Sequence, residues 1–169
     1  MEEIHAIFSA LDVAKYICKK YFDDKEAEIS EIKLQKCLYF LFAYWGGFIA
    51  KNNSENVEEK FDYSQYLFFA QFEAWVYGPV IPTIYFSRKN NELLYDDLNV
   101  EKMFEGKEFI KETIDSLLDD LFEISDFKLV SLSHNDKVWQ NNFDVNDDFH
   151  NAKMPLDSII REYACRETI

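Results

Sequence analysis

The chain is poor in residues that interrupt regular structure and poor in positive charge. Its 169 residues include only 4 glycines and 3 prolines, which excludes collagen-like and low-complexity material. Lysine and arginine number 18 against 32 aspartates and glutamates, a formal net charge of −14. Such a surface repels phosphate backbones, so no direct nucleic-acid binding is expected, whereas basic partners are drawn in faster. Cys18, Cys37 and Cys165 lie far apart with no CxxC pair. That excludes a zinc ribbon and a thioredoxin-type redox site, and predicts free thiols serving as small buried hydrophobes. The acidic opening Met1-Glu2-Glu3-Ile4-His5 lacks a basic leader, so a reducing, cytoplasmic setting is expected.

Membrane-length apolar runs are missing too. The uncharged stretch 37–50 falls short of the ~20 residues that a span requires. Residues 66–86 are long enough, yet contain Glu73, Gly78, Pro79 and Pro82, a carboxylate and helix breaks that lipid tolerates badly. Catalytic patterns are equally scarce: no P-loop, dinucleotide fingerprint, HExxH or GxSxG occurs. No enzyme activity, metal or cofactor is expected. His134 with Asp136 beside Trp139 is the most suggestive cluster, and reads as a helix-capping turn. Cys37 as a nucleophile for His134 would lie in the most apolar segment, where burial quenches a thiol.

What is present is apolar and aromatic: 48% hydrophobic residues, with 16 Phe and 10 Tyr. That excludes intrinsic disorder. The length suits one domain over 1–169, without repeat or linker. The pattern predicts a mainly α, compact helical domain with room for a small β element in the middle. A first helix is expected over 4–22, from the stripe Phe8, Leu11, Ala14, Cys18 and Tyr21, followed by a loop over 23–28. Ser30 is an N-cap for a second helix. That helix is apolar on every side over 37–45 and therefore central. Gly46-Gly47 would loosen, bend or end it before a polar loop over 51–60. Tyr66-Leu67-Phe68-Phe69 and Phe72 read as strand or buried segment. Tyr77-Gly78-Pro79 breaks the chain, with Pro79 opening a short helix to about Arg88. A further helix is expected over 101–124. Ser133 would be the N-cap of a capping box for a helix through Val138, Trp139 and Phe143. A last helix is expected over 155–163.

Two surfaces suggest themselves for a protein partner. The segment 72–85 sets Trp75, Tyr77 and Tyr85 on a backbone stiffened by Pro79 and Pro82, a composition found at binding hot spots and equally at a core corner. Glu73 inside it needs solvent, or a partner such as His134 or a lysine. On the helix over 101–124, Asp115, Asp119, Asp120 and Glu123 crowd the face opposite Ile110, Ile114, Leu117, Leu118 and Leu121. That face is either an acidic docking surface or a solvated exterior.

Three motifs together resemble the Panacea domain, the SocA-like antitoxin family that includes phage-associated GepA-type proteins. They are Asp12-Val13-Ala14-Lys15-Tyr16; Ile32-Lys33-Leu34-Gln35-Lys36-Cys37-Leu38-Tyr39-Phe40; and Glu73-Ala74-Trp75-Val76-Tyr77-Gly78-Pro79-Val80-Ile81-Pro82 through Tyr85. Leu132-Ser133-His134-Asn135-Asp136 with Trp139 matches the family's histidine-to-tryptophan motif. The resemblance covers about 11–164, and Cys37 stands where the family usually has leucine. It implies a mostly α-helical fold, no catalytic activity, and neutralisation of a cognate toxin by direct binding, alone or in a hetero-complex or homo-oligomer. Some members act as adaptors delivering a toxin to a AAA+ protease. Motif residues Leu34, Lys36, Tyr39, Trp75, Gly78, Pro79, Val80, His134 and Trp139 would then maintain the fold. An alternative in the same interaction class is a phage-encoded inhibitor of a host defence protein.

Overall fold

The computed structural model describes residues 5–54 and 62–166. Strand β1 (Phe8–Ser9) pairs in parallel with β2 (Phe68–Phe69). Helix α1 (Ala10–Lys25) follows at once, because Ser9 is extended and its hydroxyl accepts from the Asp12 N–H at 3.0 Å. The helix therefore starts later than expected from the stripe, whose Phe8 is in the strand; Ile4 lies outside the described residues. It also continues through Asp23 and Asp24, where Lys19–Asp23 and Lys20–Asp24 pair at i,i+4. Glu26, left-handed at φ 56°, closes it.

Helix α2 (Glu31–Ser54) is the axis of the molecule, buried at every residue from Lys33 to Ala43. Ser30 accepts from the Lys33 N–H at 3.0 Å, as a cap should. The helix neither ends at Gly46-Gly47 nor gives way to a loop at Lys51; the rest of that expected loop lies outside the described residues. The glycines serve proximity instead. A Cβ on Gly46 would lie 2.7 Å from Ile160 Cγ1, and one on Gly47 2.6 Å from Tyr163 Cβ. Both contacts are with α8 (Leu156–Ala164), which packs closely against α2.

The middle of the chain holds a small antiparallel sheet of β3 (Phe72–Trp75), β4 (Gly78–Val80) and β5 (Lys153–Met154), in the order β4-β3-β5. Pro79 sits in β4 rather than opening a helix, and an edge strand tolerates its missing N–H. Helix α3 (Pro82–Lys89) starts three residues later, with Pro82 in its first turn. Tyr66 and Leu67 are buried without being strand.

The single helix expected over 101–124 is two, α4 (Val100–Met103) and α5 (Glu108–Glu123), separated at Gly106 with φ 70°. Helix α6 (Asp126–His134), capped by Ser125, had no sequence counterpart. Ser133 therefore lies inside a helix and opens none. Asp136 is the N-cap of α7 (Lys137–Asn142), and its carboxylate is spent elsewhere. The fold is mainly α: eight helices and five short strands among the described residues, over one continuous core. Cys18 and Cys37 are buried in it, whereas Cys165 is exposed and is no core thiol. No helix among the described residues is long and apolar enough to cross a membrane.

Candidate functional site

The motif residues meet at one junction where α2, the β3–β4 hairpin and the α6–α7 corner touch. Lys36, 1% exposed, donates from Nζ to the Pro79 carbonyl at 2.9 Å. Gly78 makes this approach feasible: at φ 100°, a Cβ there would lie 2.3 Å from Ser133 Oγ and 2.8 Å from Lys36 Cε. One residue earlier on α2, Gln35 clamps Ile81, accepting from its N–H at 2.8 Å. Trp139 Nε1 donates to the Trp75 carbonyl at 2.9 Å, and His134 Nε2 lies 2.9 Å from the Val76 carbonyl. The hairpin is thus held by side chains that reach its backbone, which leaves its own side chains free to point elsewhere.

Asp136 is the polar centre beneath this junction. It is 2% exposed and accepts from Tyr39 and Tyr163 on Oδ2, the latter at 2.7 Å, and from Arg166 on Oδ1 at 2.6 Å. A buried carboxylate is tolerated only with such partners. Burial and the facing carboxylate push both tyrosine hydroxyls well above their ordinary range. His134 and Asp136, close in sequence, therefore point to different partners. Leu34 and Cys37 are core, and burial pushes the Cys37 thiol up to about 12, away from the thiolate form. Among the described residues no group of three or more His, Cys, Asp or Glu could hold a metal ion.

Above the junction the aromatic residues divide. Pro79 and Val80 are buried, Trp75, Pro82 and Tyr85 are half-buried, and Trp75 meets Tyr85 edge-on at 5.3 Å. Tyr77 at the hairpin tip is 59% exposed, beside exposed Val76. Glu73 accepts from Trp75 Nε1 at 2.9 Å and from Gln71 at 3.3 Å, so the expected histidine or lysine is replaced by an indole. A ladder of rings runs from His134 to Trp139 (4.1 Å), Phe143 (4.7 Å) and His150 (5.2 Å). It carries Phe149 and His150 to a cavity of about 300 Å³ beside the hairpin.

The acidic face of α5 is largely occupied from within. Asp115 accepts from Tyr16 and, at 2.7 Å, from Lys111; Asp119 accepts from Lys20 at 2.8 Å; Glu123 accepts from Lys25. Asp120 is exposed. The acids and the hairpin belong to separate regions, since the acids pair with α1. Sequence reasoning missed Tyr163 and Arg166, because no local pattern marks partners 27 and 30 positions away, and it missed the stacking of His150 on Phe143 across a loop. Comparison with family models, with curated proteins and with solved structures finds no match to this chain.

Proposed function

We propose that this protein is an antitoxin of the Panacea type, acting in the cytoplasm by binding a cognate, basic toxin directly. The observation that carries the reading is the convergence of three of the resembling segments, on α2, on the hairpin and at the His134-to-Trp139 corner, on one junction. Lys36, His134 and Trp139, drawn from α2, α6 and α7, hold by its backbone the hairpin that contains Gly78 and Pro79, and Tyr39 braces Asp136 beneath it. A hairpin fixed in this way presents Val76 and Tyr77 outward at little conformational cost, as a binding anchor requires. The net charge of −14 supplies long-range attraction for a basic partner.

Inducible expression of the adjacent open reading frame, with and without this protein, tests the reading. Growth arrest that is rescued, with a complex that co-purifies, is the expected result. A neighbour that is harmless alone, or equally toxic in the presence of this protein, overturns it. Rescue without a complex, together with a shortened toxin half-life, marks an adaptor for proteolysis instead. The acidity also favours a second reading, an inhibitor of a host defence protein that binds nucleic acid. Salt-sensitive competition with DNA for that target is its signature.

A further inference from the structure

The cavity beside the hairpin has one polar group with capacity to spare. Its walls are chiefly apolar, with Ile32, Trp75, Val80, Tyr85 and Phe149 among them. At about 300 Å³ it is the size of a small-molecule site. Four of the groups lining it are Glu31, Gln35, Lys36 and His150. Gln35 is engaged with the Ile81 backbone and with Glu31 at 3.2 Å, and Glu31 lies 3.6 Å from Arg88. His150 Nδ1 lies 3.0 Å from the Asp144 carbonyl. Lys36 differs. An ammonium has three donors, and among the described residues it makes one hydrogen bond, to Pro79.

We propose that this cavity binds a small aromatic monocarboxylate, its ring against the wall that Trp75 and Tyr85 form together and its carboxylate accepting from Lys36. A cationic ligand would be repelled by the ammonium, an apolar one would leave the spare donors unmatched, and a neutral acceptor would match a hydrogen bond without the charge. A carboxylate satisfies both charge and hydrogen bonding in a desolvated setting. Glu31 opposes an anion, but Arg88 beside it offsets that charge. Binding is coupled to protons. Burial holds the Lys36 amine down to about 7, so a carboxylate that requires the ammonium takes up a proton on binding above that pH. Tyr77 and Tyr85, on the hairpin and α3, also line the cavity. His150 is a further titratable group lining the cavity, so its contribution is removed in a His150→Gln background. The site is independent of the antitoxin reading and stands or falls separately.

Benzoate is the probe, with benzyl alcohol as the uncharged comparison. Both are titrated into the whole protein, followed by the Trp75 indole resonance and by calorimetry in two buffers of different ionisation heat. Benzoate is expected to saturate at millimolar concentration or below and to bind at least about tenfold more tightly than benzyl alcohol. Its affinity should fall roughly tenfold per pH unit above about 7, with proton uptake. Lys36→Met should abolish the preference for benzoate. Failure of benzoate to shift the Trp75 resonance, equal binding of the two probes, or pH-independent affinity in wild-type protein each overturns the proposal. Those readings need no variant, so they decide even if Lys36→Met fails to fold.

Discussion

The Tyr163 hydroxyl donates to Asp136 Oδ2 at 2.7 Å, tying α8 to the residue that opens α7. Tyr39 from α2 donates to the same oxygen. Three elements distant in sequence therefore share one buried carboxylate. Asp136→Ala leaves two hydroxyls and the Arg166 guanidinium without their acceptor, and should cost ~3–5 kcal/mol of stability, the range for breaking a buried charged pair. Tyr163→Phe removes one donor only and should cost ~1–2 kcal/mol. Denaturant unfolding checks both, and similar losses for the two variants would remove Asp136 from the centre of the network.

Helix propensity and packing make opposite forecasts for Gly47→Ala. Alanine is favoured over glycine within a helix by about 1 kcal/mol. Yet the new Cβ would lie 2.8 Å from the Tyr163 carbonyl carbon and 3.0 Å from the Ala164 nitrogen, backbone that cannot rotate away. The expected net is a loss of ~1–3 kcal/mol, the usual cost of overpacking. Gly46→Ala meets chiefly the Ile160 side chain, with one backbone contact at Gln65, and should lose less. A thermal melt in which Gly47→Ala gains stability would show that α8 is free to withdraw.

Lys36 makes stability depend on pH with a definite sign. Its folded value is lowered to about 7 by burial, while an unfolded lysine titrates near 10.4. Between these values the unfolded chain binds more protons, so the Lys36 contribution to stability rises with pH across this window. Lys36→Met, compared with wild type from pH 6 to pH 10, should show a deficit that grows with pH. A constant difference would mean that the amine titrates normally in the folded protein.

Tyr77 separates binding from folding. Exposed at the hairpin tip, it should cost under ~0.5 kcal/mol when changed to alanine. Under the proposed function the same change weakens capture of the toxin by tenfold or more, as truncated aromatic anchors commonly do. Asp119→Ala, which removes an exposed partner of half-buried Lys20, should change stability by no more than ~1 kcal/mol. Surface plasmon resonance with the purified toxin ranks the two regions. A larger effect at Asp119 and Asp120 than at Tyr77 would move the contact to α5.

Much of the helical content was legible because its signals are local. Ser30 caps α2 as its side chain predicts, and the all-apolar run over 37–45 is central because no other placement hides every face. A small β element in the middle was also expected, but the break at Tyr77-Gly78-Pro79 looked like a helix start and is instead the turn into β4. The misreadings have a common cause. Ser133 looked like a cap beside an acid three residues on, but α6 already occupied it and Asp136 turned inward to Tyr39 and Tyr163. Gly46-Gly47 looked like an ending, yet its meaning lay in a helix more than a hundred residues later.

From sequence alone came the fold class, the central helix and the strong negative charge, since these follow from composition, periodicity and nearest-neighbour capping. Tertiary structure alone decided which polar groups are satisfied. Asp136 gained three donors, Glu73 an indole, and the acids of α5 the lysines of α1, while Lys36 was left with one acceptor inside an apolar cavity. Hydrogen bonds act over about 3 Å, so their partners are set by which helices pack together and leave no trace in the spacing along the chain.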